Sequence, residues 1–284
     1  MMFRPGPVVT GYPLMDPATP FTVKVPYRMA PDMQLLEDRP LLAEDRHWHD
    51  YINLKAKMCQ PVYAQDWDCQ TMYKVLKRLA EMVPNGPVKF RGNQIEWPWI
   101  ESTGDSRMVE FLSLSLQEDF VVWTRNRAGN LAAQALSVTF PSGWAPEEKA
   151  GMTFDEIHVP LKDADLLKKA GNHIAAMICT KGPFLRHVWS VANTGDLNRH
   201  PKKYRAWTNE TLDDMWFRCE RQVTIPVDDD TALFLIRVYV TPLRRVIEFE
   251  DKKNLIKESV NSMSDAILEY KGMNYFRDWI NQQP

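Results

Sequence analysis

The chain has 284 residues, 44% of them hydrophobic, so a sizeable core is available and global disorder is excluded. Its 35 Lys and Arg nearly match its 37 Asp and Glu, and the formal charge of −2 argues against a nucleic-acid surface as its main business. Four cysteines, Cys59, Cys69, Cys179 and Cys219, include no CxxC pair, which excludes a zinc or disulfide framework and points to reduced thiols in a cytoplasmic protein.

The start, MMFRPGPVVTGYPLMDP, is broken by prolines and does not read as a signal peptide. No apolar run reaches membrane-spanning length, so no membrane is expected as a partner. Residues 1–45 read as an extended surface arm. From Asp68, the spacing of Cys69, Met72, Leu76, Leu79 and Val83 predicts a helix that Pro84-Asn85-Gly86-Pro87 stops. Val88–Trp97 reads as a short strand or ribbon, and Leu131–Phe140 as a strand ending at Pro141-Ser142-Gly143. Pro146, Glu147 and Glu148 have helix-start composition. Thr153 and Glu156 have capping-box spacing, so Phe154–His158 is expected to form a helical turn that Pro160 ends. Leu166, Ala170, Ile174 and Met177 mark another helix, and Ile256, Val260, Met263 and Ile267 an amphipathic C-terminal one.

Two β-rich runs, Trp216–Pro226 and Thr231–Pro242, flank Asp228-Asp229-Asp230 and read as an antiparallel hairpin. If the aspartates are the loop, counting back sets Val223 opposite Leu235, Arg221 opposite Arg237 and Cys219 opposite Tyr239, all on one face. Facing arginines repel, and unpaired charge in an apolar patch is costly. A bound dianion resolves this; so would neutralising protein carboxylates, or a register differing by one residue. The fold class is α+β, an antiparallel sheet with helices packed on it.

Three stretches resemble the haem-dependent oxidative N-demethylase family. They are LQEDFVVW with FPSGWAPEEKAGMTFDEIHVPL (Leu116 to Leu161), FLRHVWSVAN (Phe184 to Asn193) and RCERQVTIPVDDDTALFLIRVYVTPL (Arg218 to Leu243). Where the family commonly has Arg-x-Asn-Trp-Ser, this chain has Arg186-His187-Val188-Trp189-Ser190. The resemblance implies a PAS-like antiparallel sheet holding haem b, with helical extensions. The expected divisions are an N-terminal arm and helical extension (1–105), a PAS-like haem domain (106–245) and C-terminal helices (246–284). It also implies monooxygenation of a secondary methylamine such as dimethylamine by dioxygen, giving a primary amine and formaldehyde. NADPH, FMN and iron–sulfur centres are expected on a partner reductase subunit, and a tetrahydrofolate-binding subunit is a further expected partner. The chain itself has no Gly-rich dinucleotide fingerprint and no cysteine cluster.

Haem iron is held by His, Cys, Met or Tyr. His158, within the family-like EIHVP string, is the first candidate for the ligand; its plainer reading is a histidine bonded to backbone or packed beside the haem. Cys219 is the rival, as a thiolate, although a buried strand cysteine is ordinarily a small core residue. His173 and His187 are weaker alternatives, and His47, His49 and His200 are expected to be exposed. Arg221 and Arg237 are the propionate candidates, and Trp144 and Tyr239 the candidates to line the substrate pocket, with core packing the plain reading of Trp144. Glu220 reads as an ion-pair partner of Arg218 or Arg186. The competing functions are a PAS-like haem sensor, for which no output domain is visible, and a haem-free binding subunit of a larger complex.

Overall fold

A computed structural model of the chain describes residues 20–92, 94–96, 105–158, 165–203 and 205–283; the side chains of 105, 106, 158 and 165–172 are outside that description. Its elements in chain order are β1 (Gln34–Leu35), α1 (Trp48–Met58), β2 (Val62–Tyr63), α2 (Cys69–Met82), β3 (Phe90–Arg91), β4 (Gln94–Ile95) and α3 (Asp105–Ser115). There follow β5 (Asp119–Arg125), β6 (Leu131–Ser137), α4 (Phe154–His158), α5 (Asp165–Thr180), β7 (Phe184–Ala192), β8 (Trp216–Asp228) and β9 (Thr231–Pro242). The chain ends in α6 (Leu243–Ile247), α7 (Glu250–Asn261), α8 (Asp265–Lys271) and α9 (Asn274–Asn281). It is a mixed α+β fold, and no helix among the described residues is long and apolar enough to cross a membrane.

One antiparallel sheet organises the molecule, in the order β1-β7-β8-β9-β5-β6-β2. The hairpin register is the one read from the sequence: Val223 faces Leu235, Arg221 faces Arg237 and Cys219 faces Tyr239. The loop differs. Asp228 still pairs with Thr231, Asp229 and Asp230 make the turn, and a bulge between Pro226 and Asp228 absorbs the extra residue.

Because side chains alternate along each strand, the sheet has two distinct faces. The first, here the leader face, carries Leu185, Trp189, Phe217, Cys219, Val223, Leu233, Leu235 and Tyr239, all buried. At one end α2 and α3 cover it, through Met72, Leu76, Val109 and Leu112. At the other, Leu243, Ile256, Val260, Leu268 and Phe276 of the C-terminal helices do so. The opposite face carries Val121, Ala232 and Phe234, and packs with Ile174 and Ile178 of α5 and Phe154 and Ile157 of α4.

Local expectations hold where a cap or a period decides them. Asp68 caps α2, its carboxylate accepting from the Gln70 amide at 3.0 Å, and Met72, Leu76 and Leu79 are buried as their spacing requires. Thr153 and Glu156 form the expected box, with the Thr153 amide donating to Glu156 Oε2 at 2.7 Å. The ribbon is β3 paired with β4; Trp97, and Pro160 beyond α4, lie outside the described residues. The single C-terminal helix is a correction. Ser264 accepts from the Ile267 amide at 3.3 Å and starts a new helix, so Met263 falls in the junction between α7 and α8.

A fully buried ion pair joins α1 to the sheet. Lys55 lies 3.4 Å from Asp119 and donates to the Leu116 carbonyl at 3.0 Å and to the Glu118 carbonyl, while Asp119 accepts from the Phe140 amide at 2.7 Å. Burial pushes the Asp119 carboxyl up and the Lys55 ammonium down, and their attraction opposes both. Lys55→Met should cost roughly 3–5 kcal/mol in urea unfolding, because it strands a buried carboxylate. Adding Asp119→Asn should recover part of that loss, since the amide oxygen still accepts from Phe140 without carrying charge; no recovery would show that the pair acts only through packing.

Candidate functional site

Both facing arginines are bonded by protein groups, Arg237 by a carboxylate and Arg221 by backbone carbonyls. Residues 36–46 run as a strap over the leader face, and the Arg221 guanidinium donates to the Leu41 carbonyl at 3.1 Å and to the Pro40 carbonyl. Arg237 pairs with Asp45 at 2.9 Å, donates to the Val238 carbonyl at 2.9 Å, and stacks on Tyr51 and Tyr239, 3.7 and 4.7 Å from their ring centres. Tyr51 reaches the same Val238 carbonyl with its hydroxyl at 2.6 Å. The strap is itself tied down, with the Ala43 amide on Glu118 and the Asp45 amide on Gln117 at 2.6 and 2.8 Å. His187, opposite Arg221 on β7, is held neutral, its pKa lowered to about 4 by burial and by the Arg221 charge.

The other face is built differently. Arg186, Val188 and Ser190 on β7, Trp216, Glu220 and Gln222 on β8, and Phe234 on β9 are half-buried there. Trp144 is half-buried beside them, in one apolar cluster with Phe234, Phe154 and Ile157. Gly143, at φ +86°, takes the left-handed conformation that turns the chain between Ser142 and Trp144. The Ser142 hydroxyl donates to Glu220, whose second oxygen accepts from the Gln222 amide at 2.8 Å. Behind them Arg218 donates to Ser142 at 2.7 Å and to the Phe140 carbonyl at 2.9 Å, and burial lowers its pKa to about 10.

The structure therefore splits the residues singled out in the sequence. Cys219, Arg221, Arg237 and Tyr239 share the closed leader face, whereas Trp144 and α4, the helix ending at His158, pack on the other. Burial pushes the Cys219 thiol well above its usual range, as for a core cysteine. Glu220 is held by Ser142 and Gln222, with Arg218 reached through Ser142, rather than by a direct ion pair with Arg218. His173 and His49 are exposed, but His47 and His200 are half-buried against Asp50 and Glu147, contrary to expectation. Among the described residues no group of three His, Cys, Asp or Glu is placed to hold a metal ion by itself. A groove of about 410 Å³ between α2 and the β3–β4 ribbon, lined by Tyr73, Lys77, Val88 and Phe90, contains neither histidine nor cysteine.

Sequence reasoning missed Arg186. The signal lies in FLRHVWSVAN, since a strand there puts Arg186 and Val188 on one face and His187 on the other, and that stretch is β7.

Fold and site together define a class: an α+β protein whose sheet closes one face with its own chain and keeps a half-buried, cation-bearing surface beneath two helices. Over residues 33–281 the chain matches the family of haem-dependent oxidative N-demethylase, alpha subunit-like proteins, and it belongs to that family.

The strap makes an electrostatic prediction. Burial works to raise the Asp45 carboxyl, but Arg237 and hydrogen bonds from Gln117 and the His47 amide outweigh it and hold the group below its usual range. A depressed folded pKa stabilises fully above the unfolded value of about 3.9, and that stability is lost as pH falls through the folded value. Urea midpoints should thus fall below about pH 4 in the native protein, and Asp45→Asn should flatten that acid limb. Arg237→Leu should cost about 3–5 kcal/mol at neutral pH by stranding Asp45. An unchanged midpoint in Arg237→Leu would remove the strap's electrostatic role.

Proposed function

We propose that the chain is the haem-binding catalytic subunit of an oxygen-dependent N-demethylase, a monooxygenase converting a secondary methylamine such as dimethylamine to a primary amine and formaldehyde. The cofactor is haem b. NADPH, FMN and iron–sulfur centres belong to a partner reductase subunit, a tetrahydrofolate-binding subunit takes the formaldehyde, and the assembly is cytoplasmic. The sheet is PAS-like: its five long strands run β6-β5-β9-β8-β7, with α4 and α5 inserted between β6 and β7. The observation that supports the site's location is the contrast between the leader face, closed by the strap and helices, and the other face, which is buried at Ile236, Val238 and Val240 but half-buried at Arg186, Val188, Glu220, Gln222 and Phe234.

The residues of that second face fit the group. Val188, Phe234 and Trp144 supply apolar surface for a flat macrocycle, and Arg186 offers a buried Nε with no hydrogen-bond partner, which a carboxylate would satisfy. On the leader face the guanidiniums of Arg221 and Arg237 are already taken, so they hold the strap rather than a propionate. His158 remains the proposed iron ligand, because α4 lies on the fitting face, and Cys219 lies on the other.

Haem bound there supplies the dioxygen activation that oxidises an N-methyl group. The chain's own residues shape the reaction. The Trp144 indole offers an aromatic face to an alkylammonium, and Phe234 and Val188 keep bulk water from it. Val188, standing where the family commonly has Asn, is the cross-strand neighbour of Glu220, so the choice of amine is set beside it.

Reconstituting the purified chain with haemin tests the reading directly. It should take up one equivalent with an intense visible spectrum that dimethylamine perturbs. His158→Ala should alter the ferric spin state, while Cys219→Ser should leave the spectrum unchanged. A chain that stays colourless overturns the function, and a thiolate-type carbonyl spectrum lost in Cys219→Ser overturns the ligand.

A further inference from the structure

The half-buried face carries more positive than negative charge, concentrated at its β7 side. Arg186 is there with its unpartnered Nε. Lys271, the last residue of α8, brings its ammonium to the same strand, donating to the Trp189 carbonyl at 2.8 Å and lying 5.2 Å from the centre of the Tyr27 ring. Arg218 is the third cation, and its acceptors (Ser142 and the carbonyls of Phe140, Pro141 and Asp196) are all neutral.

Glu220 is the carboxylate whose charge acts on all three, and both its oxygens are occupied by Ser142 and Gln222. Asp32 also acts on Arg186, but it is paired with Lys24 at 2.6 Å. Tyr27 and Tyr270 adjoin Arg186 and supply no negative charge, because burial raises both phenols, Tyr27 to about 12. Among the described residues Glu220 is the carboxylate these three cations share; Asp119 also acts on Arg218 but is paired with Lys55, and Arg199 adds a further cation. Burial correspondingly lowers the Arg186 guanidinium and brings Lys271 down to about 8, the direction expected of cations short of an anion.

We propose that Arg186 and Lys271 form a carboxylate-binding site for the two propionates of the haem, with Glu220 and Arg218 completing its charge balance. This rests on the haem reading above and assigns the anchoring to β7 and the C-terminal helix α8, away from the Arg221–Arg237 pair. The propionates supply negative charge beside these cations, and a guanidinium and an ammonium both make charge-assisted bonds to carboxylates.

Haemin and its dimethyl ester, which lacks both carboxylates, separate the possibilities when titrated into the full chain and chased with apomyoglobin. The native chain should retain haemin about ten- to a hundredfold more strongly than the ester, the range for one or two hydrogen bonds to charged groups. Arg186→Leu and Lys271→Met should each lower haemin retention toward that of the ester and leave ester retention unchanged, while Arg221→Leu should keep the preference. Equal retention of haemin and ester by the native chain, which needs no variant to fold, overturns this assignment alone. A preference that survives in both variants also overturns it. Failure of both compounds to bind overturns the haem reading and the assignment with it.

Discussion

Two guanidiniums placed opposite one another on a sheet need something to neutralise them, and much of the architecture follows from what does so here. The register sets Arg221 against Arg237 within an apolar surface. The 36–46 segment answers them, through carbonyls at Arg221 and through Asp45 at Arg237, with the rings of Tyr51 of α1 and Tyr239 of β9 against Arg237. That segment is then fixed in place, and the leader face is closed between the α2–α3 core and the C-terminal helices. The alternation that sends Arg221 and Arg237 one way sends Glu220, Gln222 and Phe234 the other.

The same residue type thus plays different roles on the two faces. Arg237 is fully buried and matched by Asp45, and the Lys55–Asp119 pair at the neighbouring edge is matched likewise. Such pairs contribute little net stability when compared with apolar substitutes, but breaking one is costly. They specify where α1 and the strap sit. Arg218 is also buried, yet it meets carbonyls and a serine hydroxyl, and its positive charge persists across the half-buried face.

Much of this was legible in the sequence, and the exceptions have physical reasons. Turn chemistry and period-2 patterning gave the β8–β9 pairing, with the extra aspartate absorbed by a bulge that leaves the register from Pro226 onward intact. Caps gave α2 and α4. The helix Trp48–Met58 was not foreseen because its buried positions include Lys55, a charge that a periodicity reading assigns to solvent. The repulsion at Arg221 and Arg237 meets one resolution the sequence allows, a protein carboxylate at Arg237, and one it does not name, backbone carbonyls at Arg221. Whether a dianion or the chain's own backbone answers two guanidiniums depends on where a proline-rich segment 180 residues away in sequence comes to rest, as the Leu41 carbonyl on Arg221 shows. The sequence places Cys219, Tyr239 and both arginines on one face, as the register has them, but not the segment that covers that face.

Lys271 shows why the C-terminal helices belong to the story of the site. Gly272, at φ +63°, ends α8 in a left-handed cap, and its carbonyl accepts from the Trp207 indole at 2.8 Å. Ile267 and Leu268 of the same helix are buried with Trp189 and Phe217 on the leader face. The helix is therefore anchored on one side of the sheet while its last side chain reaches the β7 edge, donating to the Trp189 carbonyl and sharing the field of Glu220 and Arg186 on the other. Rigid packing on the closed face positions a cation at the border of the open one. A lysine on a free loop would relax toward water and lose that placement; a lysine at the end of a docked helix is held near its target before any ligand arrives.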